Sequence, residues 1–115
     1  MSRGINAKDE LIAHINGRPV KCIHLHGREY TYDEKKAPAM FLPIGHTQEQ
    51  FNQFVAILDV EYDNGYGGQN LYGHIWYVDG TWSERGEYDG SEWWDHKSAP
   101  ELPEGLDQLT LGHLV

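Results

Sequence analysis

The sequence predicts a single α+β domain that spans residues 1–115. The 115 residues fit one domain of ordinary size. Two segments carry helix caps and helical apolar spacing, and the C-terminal half alternates apolar and polar residues between glycine turns. We therefore expect an antiparallel C-terminal meander of about four strands with one helix packed across it, preceded by a helix and a β-hairpin.

The first predicted helix covers residues 7–16. Asn6 can act as its N-cap, acidic residues occupy its first turn, and Gly17 fits the position just after its end. Its spacing predicts one apolar face that holds Leu11, Ile12 and Ile15. This face would bury the helix against the core.

A β-hairpin is predicted next. Val20–Leu25 forms the first strand, His26 and Gly27 form the turn, and Glu29–Tyr32 forms the returning strand. Residues 33–38 form a polar loop, and the short strand Met40–Leu42 ends at a proline.

The second predicted helix covers residues 47–58. Thr47 and Gln50 form a capping box, in which each side chain accepts from the free backbone N–H of the other residue. The apolar stripe that follows contains Phe51, Phe54, Val55 and Leu58. This stripe is predicted to pack on the sheet.

Four strands are predicted after residue 59, with a glycine-rich turn at residues 64–69 between the first two. They are Val60–Asp63, Leu71–Val78, Thr81–Tyr88 and Ser91–His96. The last three are joined by Asp79-Gly80 and Asp89-Gly90, and Asp-Gly between alternating apolar residues is a strong signal for a two-residue type I′ turn. With two such turns, Tyr77 would face Trp82 and Arg85 would face Trp94.

This register divides the predicted sheet into two faces. The core face would carry Leu71, Ile75, Tyr77, Trp82, Tyr88 and Trp93. The opposite face would carry His74, Trp76, Arg85, Glu87, Glu92, Trp94 and His96. Trp and Arg dominate the energetics of many protein interfaces, so we expect a partner surface there. It would comprise His74, Trp76, Arg85, Glu87, Glu92, Trp94 and Asp95, with Tyr66 from the glycine-rich turn. The alternative is that the N-terminal half or the C-terminal tail covers these tryptophans.

The charge is distributed unevenly along the chain. Residues 1–45 hold seven Lys or Arg and five acids, a net charge of 7 − 5 = +2, whereas residues 46–115 hold two and thirteen, a net charge of 2 − 13 = −11. Such a field favours a partner with a basic surface and disfavours direct contact with nucleic acid or anionic membrane. The alternative is that the acidic half only keeps the protein in solution.

Metal binding is an alternative function. Cys22, His24 and His26 alternate on one face of the predicted strand and could supply ligands, but zinc needs three or four that converge and no fourth is evident. Closely spaced carboxylates such as Glu87 and Glu92 could serve glycosidase chemistry, but this requires a cleft. We therefore predict no catalytic residue and no cofactor.

Several features indicate a cytoplasmic protein. No run of about 18 apolar residues could span a membrane, and residues 1–6 lack the apolar core of a signal peptide. The one cysteine, Cys22, cannot form an internal disulfide.

The segment Asp79–Trp94, DGTWSERGEYDGSEWW, resembles a signature of small uncharacterised accessory proteins of tailed phages and prophages. With Tyr62–Tyr77 included, the resemblance covers about the last half of the chain, and it transfers no functional residue. It implies a phage accessory protein of no assigned chemistry, and small acidic phage proteins frequently block host enzymes or defence systems, sometimes by mimicking DNA. Together with the acidic C-terminal half and the face that carries Trp and Arg, it leads us to expect a non-enzymatic binding protein that inhibits a host nucleic-acid-handling or defence complex. The alternatives are a metal-binding protein or metal-dependent enzyme, and a self-assembling structural protein that forms a homodimer through its tryptophan face.

Overall fold

The computed structural model describes residues 4–28, 39–63, 65 and 68–113. These residues form an α+β fold with a five-stranded antiparallel sheet, a two-stranded sheet and two helices. In chain order the elements are β1 Gly4–Asn6, α1 Ala7–Ile15, β2 Val20–Gly27, β3 Met40–Leu42, α2 Gln48–Ile57, β4 Glu61–Asp63, β5 Leu71–Tyr77, β6 Trp82–Tyr88 and β7 Ser91–Lys97. The predicted strand Glu29–Tyr32 and the loop 33–38 lie outside the described residues.

Both helices begin at the predicted caps. The Asn6 side chain accepts from the Asp9 N–H at 3.0 Å, and Thr47 and Gln50 form the reciprocal capping box. At the end of α1, Asn16 already adopts the left-handed conformation that Gly17 continues. Local side-chain chemistry therefore fixes where both helices start.

The large sheet has the strand order β3-β2-β5-β6-β7. β2 continues through Gly27, since His26 pairs with Tyr72 and Gly27 with Leu71, so the predicted turn at His26 and Gly27 is wrong. β4 was predicted in the meander but pairs with β1 in the two-stranded sheet. The meander therefore has three strands, and β2 occupies the place beside β5.

Both helices cover one face of the large sheet, which we call the inner face. Leu11 and Ile15 of α1 and Phe54 and Val55 of α2 are buried in one core cluster. Their partners from the sheet are Ile23, Leu25, Leu42, Ile75, Tyr77 and Trp94. The predicted helical stripes are therefore confirmed except at Ile12, which lies on the exposed side of α1.

The two Asp-Gly turns have different geometries. At Asp89 and Gly90 both φ angles are positive (51° and 86°), and Tyr88 faces Ser91 across the predicted two-residue turn. At the first turn only Gly80 has a positive φ, and Tyr77 bonds to Thr81, which leaves a three-residue loop. The Asp79 carboxylate stabilises this loop by accepting from the Thr81 N–H and hydroxyl at 2.9 and 2.6 Å.

The longer first turn changes the register by one residue. Trp76 faces Trp82 and Ile75 faces Ser83, whereas the sequence predicts Tyr77 opposite Trp82. A one-residue shift moves every side chain of the following strands to the other face. The predicted inner and outer assignments are therefore correct for β5 and reversed for β6 and β7.

Candidate functional site

Three residues predicted on the exposed face lie in the protein interior. The side chains of Arg85 and Glu92 are 1% and 0% exposed, and they form an ion pair at 2.7 Å. Trp94, which pairs with Arg85 across β6 and β7, belongs to the core cluster. The predicted exposure of these three residues is therefore wrong, because the one-residue shift turns their side chains to the inner face, beneath α1.

The buried ion pair is part of a larger polar network. Arg85 also donates to Glu10 of α1 at 3.2 Å and to the Tyr62 hydroxyl at 2.9 Å, and Tyr62 donates to Glu10. Glu92 accepts the backbone N–H groups of Asn70 and Leu71 at 2.7 and 3.0 Å. The network therefore ties α1, β4, β5, β6 and β7 together, and we assign it a structural role.

The pKa values of Arg85 and Tyr62 are both raised, which favours the protonated form in which each group donates its hydrogen bonds. Burial lowers the pKa of Arg85, but its hydrogen bond to Glu92 and the nearby negative charge of Glu10 outweigh burial, and the net shift is upward. Burial and the hydrogen bond to Glu10 raise the pKa of Tyr62 far above its ordinary value. Near neutral pH Arg85 therefore stays charged and Tyr62 stays protonated.

A second buried chain of hydrogen bonds lies beside the network. The Ser83 hydroxyl contacts the Tyr77 hydroxyl and His14 Nε2, both at 2.7 Å. Burial and the positive charge of Arg18 lower the pKa of His14. His14 is therefore held neutral between α1 and the sheet, where it fixes the helix on β6.

The opposite side of the large sheet, which we call the open face, carries three rows of side chains across the strands. The first row is Cys22, Trp76, Trp82 and Lys97. The second is Phe41, His24, His74, Glu84 and Asp95. In the third, His26 faces Tyr72 and Trp93 faces Gly86. Each of these side chains is at least partly exposed, and both helices lie on the other face.

Aromatic stacking orders the open face. His24 stacks on Phe41 with ring centroids 4.8 Å apart, and His26 stacks on Tyr72 at 5.0 Å. His74 stacks on Trp76 at 5.5 Å. The first two pairs join neighbouring strands, and the third lies within β5; all three hold their rings in fixed orientations. The open face is therefore an ordered aromatic surface.

Two glycines shape this surface. A Cβ on Gly73 would lie 2.1 Å from the His24 carbonyl oxygen, and a Cβ on Gly86 would lie 2.7 Å from Trp93 Nε1. The absence of side chains lets β5 approach β2 closely and lets the Trp93 indole lie over β6. Beside them is an open hollow of about 420 Å³, whose lining includes His24, His26 and Tyr72.

Charges on the open face largely neutralise one another. Glu84 bonds to Lys97 at 2.6 Å and lies 3.5 Å from His74. Partial burial and the neighbouring imidazoles of His26 and His74 lower the pKa of His24. With histidine counted as neutral, the rows carry one lysine against two carboxylates, a small fraction of the charge of −9 on the whole chain.

The structure gives the metal-binding alternative no support. In the part of the chain that it describes, no three His, Cys, Asp or Glu side chains converge as metal ligands. Cys22, His24 and His26 do share one face of β2, as predicted. However, His24 and His26 are turned towards their aromatic partners Phe41 and Tyr72.

The remaining predicted site residues have different positions. His74, Trp76 and Asp95 lie on the open face. Glu87 is exposed at the end of β6, where it accepts the Gly90 N–H at 3.0 Å, and Tyr66 lies outside the described residues. Sequence reasoning missed Phe41, Tyr72, Trp82 and Trp93 as surface aromatics. The Asp79–Thr81 pair, which favours the longer turn, was the signal that could have found the last two.

Comparisons with known proteins gave no match, whether to family models, to characterised proteins or to solved structures. The resemblance of residues 79–94 to phage accessory proteins stays a prediction. Among the described residues, no helix has the length and apolar character needed to cross a membrane.

Proposed function

We propose that this is a non-enzymatic binding protein that recognises a basic protein partner through the open face. The observation that carries the proposal is the concentration of partly exposed aromatic side chains on one ordered sheet surface. Trp76 and Trp93 are 39% and 40% exposed, and Phe41 is 69% exposed. Exposed patches of this kind mark interaction sites more often than scattered single residues do.

The electrostatics favour a partner rich in lysine and arginine. The open face is nearly neutral, so most of the charge of −9 lies elsewhere on the chain. Glu87 and Asp89 at the β6–β7 turn are exposed acids at one edge of the sheet, and Asp95 is an exposed acid of the open face on the same edge strand. Acidic surroundings attract a basic surface over a distance, and the exposed indoles can then stack against guanidinium or ammonium groups.

The narrower form of the proposal places the protein in the bacterial cytoplasm as a phage-encoded inhibitor of a host nucleic-acid-handling or defence complex. Its support is the acidic C-terminal half and the resemblance of residues 79–94. DNA mimicry is the weaker version, because it requires a free array of carboxylates. Glu92 is buried against Arg85, and Glu84 is paired with Lys97.

Affinity capture with matched variants tests this proposal. Trp76→Ala and Trp93→Ala should each weaken retention of the partner about tenfold, as expected for interface anchors. Ile12→Ala is the control, since Ile12 is 41% exposed but lies on α1, on the other side of the sheet. Circular dichroism first establishes that each variant is folded under the conditions of the capture.

Two further experiments test whether electrostatic attraction contributes to the binding of the partner. Raising the salt concentration from about 0.05 to 0.5 M should release the partner, and Glu87→Lys with Asp95→Lys should do the same at low salt. Glu92 is left unchanged because its substitution would disrupt the core. Retention that is equal for the tryptophan variants and for Ile12→Ala would refute the open face as the binding surface.

A further inference from the structure

The hollow on the open face is lined from β5 and β6 at the point where these two strands separate. Their last pair is His74 opposite Glu84, although β5 starts at Leu71 and β6 continues to Tyr88. Beyond that pair the N–H of Leu71 donates to the carboxylate of Glu92 instead of to a strand. The separation leaves an open concave space, whose volume of about 420 Å³ lies within the range of small-molecule sites.

Four rings from two neighbouring strands line the hollow. His24 of β2 faces His74 of β5, and His26 faces Tyr72, and all four residues are partly exposed. The ring centroids of His24 and His26 are 5.7 Å apart, and each imidazole stacks on one aromatic partner. A stacking contact occupies one face of a ring, and an open π face attracts the positively polarised hydrogens of a C–H group. The rings therefore form a platform for the apolar side of a ligand.

Uncharged hydrogen-bonding groups complete the lining. The side-chain amide of Gln69 donates to the Leu71 carbonyl at 2.7 Å. Its oxygen and the Tyr72 hydroxyl have no hydrogen-bond partner within the described part of the chain. Arg85 contributes its main chain, because its side chain is 1% exposed whereas the residue as a whole is partly exposed. The hollow thus presents amide, hydroxyl, imidazole and peptide groups beside the rings.

The hollow has almost no net charge. Among the described residues that line it, Glu84 is the only acid, and Glu84 bonds to Lys97 at 2.6 Å. The Arg85 guanidinium is held on the inner face by two carboxylates. A ligand of either charge would therefore lose hydration without gaining an unpaired opposite charge, and the charge of −9 on the chain further disfavours an anion. The lining favours an uncharged ligand.

We propose that this hollow binds an uncharged carbohydrate. The C–H groups on one side of a sugar ring would lie against the rings of Tyr72 and the histidines. Its hydroxyl groups would bond to Gln69, to imidazole nitrogens and to the main chain of Arg85. A hydroxyl both donates and accepts, which suits a lining of mixed donors and acceptors. The inference is independent of the basic partner proposed for the open face, since it requires neither acidic surroundings nor the exposed tryptophans.

Titration of the isotope-labelled full chain with simple sugars, followed by heteronuclear NMR, tests this proposal. The neutral probes are glucose, galactose, mannose and N-acetylglucosamine. At least one of them should bind with a dissociation constant of about 0.1–10 mM, as expected for an open site, and should shift the amide signals of Gly73 and His74. The uronate and the amino sugar with the same ring should bind more weakly than that neutral sugar, because the hollow offers no unpaired charge.

Substitutions in the lining locate the binding site. Tyr72→Ala and Gln69→Ala should each raise the dissociation constant of the best neutral sugar about tenfold. Tyr88→Ala is the matched control, since Tyr88 is 77% exposed and does not line the hollow. Circular dichroism establishes that the variants are folded. Gln69 lies outside every helix and strand, so its substitution should leave the sheet intact.

Four results would overturn the proposal. The first is that no neutral sugar binds at concentrations up to about 50 mM, well above the expected dissociation constants. The second is tighter binding of a charged derivative than of the neutral sugar. The third is that Tyr88→Ala weakens binding as much as the lining variants do. The fourth is that adenosine or uridine binds in the hollow while no sugar does, which would assign the site to a flat heterocycle.

Discussion

The two faces of the five-stranded sheet differ in a way that composition does not anticipate. The inner face buries an arginine and a glutamate, Arg85 and Glu92, within a core that also contains Trp94. The open face exposes Trp76 and Trp93 to solvent. One charged pair is thus inside and two tryptophans are partly outside, which departs from the usual partition at these four positions. An ion pair can be buried when its hydrogen bonds are satisfied.

Hydrogen bonds and an aromatic contact explain how the inner face can bury Arg85 and Glu92. Each oxygen of Glu92 accepts a backbone N–H, and one also accepts from Arg85. The Arg85 guanidinium lies 5.1 Å from the centre of the Trp94 ring, so the ring covers the cation. Within the described residues, Arg85 Nε and Trp94 Nε1 are the only buried side-chain polar atoms without a partner. The inner face is therefore a nearly complete polar network set into an apolar core.

Substituting a glutamate on each face gives the largest expected contrast. Glu92→Ala should reduce the free energy of unfolding by about 3–5 kcal/mol, because it leaves Arg85 buried beside an incomplete network. Glu84→Ala removes a glutamate of the neighbouring strand on the open face and should change stability little, since its ion pair with Lys97 is exposed to solvent. Urea denaturation measures both. Equal losses would show that the two faces do not differ as described.

Trp93 and Trp94 are adjacent in β7 but lie on opposite faces, so their substitution should change the free energy of unfolding by different amounts. Trp94→Ala should cost about 3–5 kcal/mol through the cavity that it leaves in the core. Trp93→Ala should cost roughly 1–2 kcal/mol, because the indole is only partly buried over Gly86. Thermal and urea unfolding of the two variants would determine the order. If Trp93 proved the costlier loss, the register of the first hairpin described above would be wrong.

The smallest expected effect is a dependence of stability on pH from one histidine on each face. The pKa values of His14 and His24 are both below the ordinary 6.5. The two histidines therefore bind protons more readily in the unfolded chain than in the folded one. Their contribution to the free energy of unfolding is fully present above about pH 6.5, and it is lost as the pH falls through their lowered pKa values. Urea denaturation between pH 8 and 5 should show this decline.

Replacing each histidine by glutamine separates the two contributions. Either substitution should remove part of the decline at acidic pH. His14→Gln should also reduce stability at neutral pH, since it disturbs the buried contact with Ser83, whereas His24→Gln should have little effect there. A decline that persists unchanged in both variants would assign the pH dependence to other groups.

Much of the local structure could be predicted because it depends on residues near one another in the chain. Asn6 and the Thr47–Gln50 pair begin the helices where predicted. Asp89 and Gly90 adopt the positive φ angles of the predicted turn, and β6 and β7 pair in the predicted register. In each case one or two side chains satisfy nearby backbone groups or adopt a restricted conformation, which the sequence displays directly.

The candidate site was not predicted because it depends on which of two turns forms at Asp79 and Gly80. The same dipeptide makes a two-residue turn at Asp89 and Gly90 and a three-residue loop here, where Thr81 bonds to Asp79. The caps, the helical stripes, the second hairpin and the α+β class follow from short-range patterns in the sequence. The pairing of β4 with β1, the position of β2 beside β5 and the faces of β6 and β7 depend on contacts between distant parts of the chain. The physical reason is that a strand can present either side to the core, and the choice depends on the partners that Arg85 and Glu92 find in α1, β4 and the backbone that leads into β5.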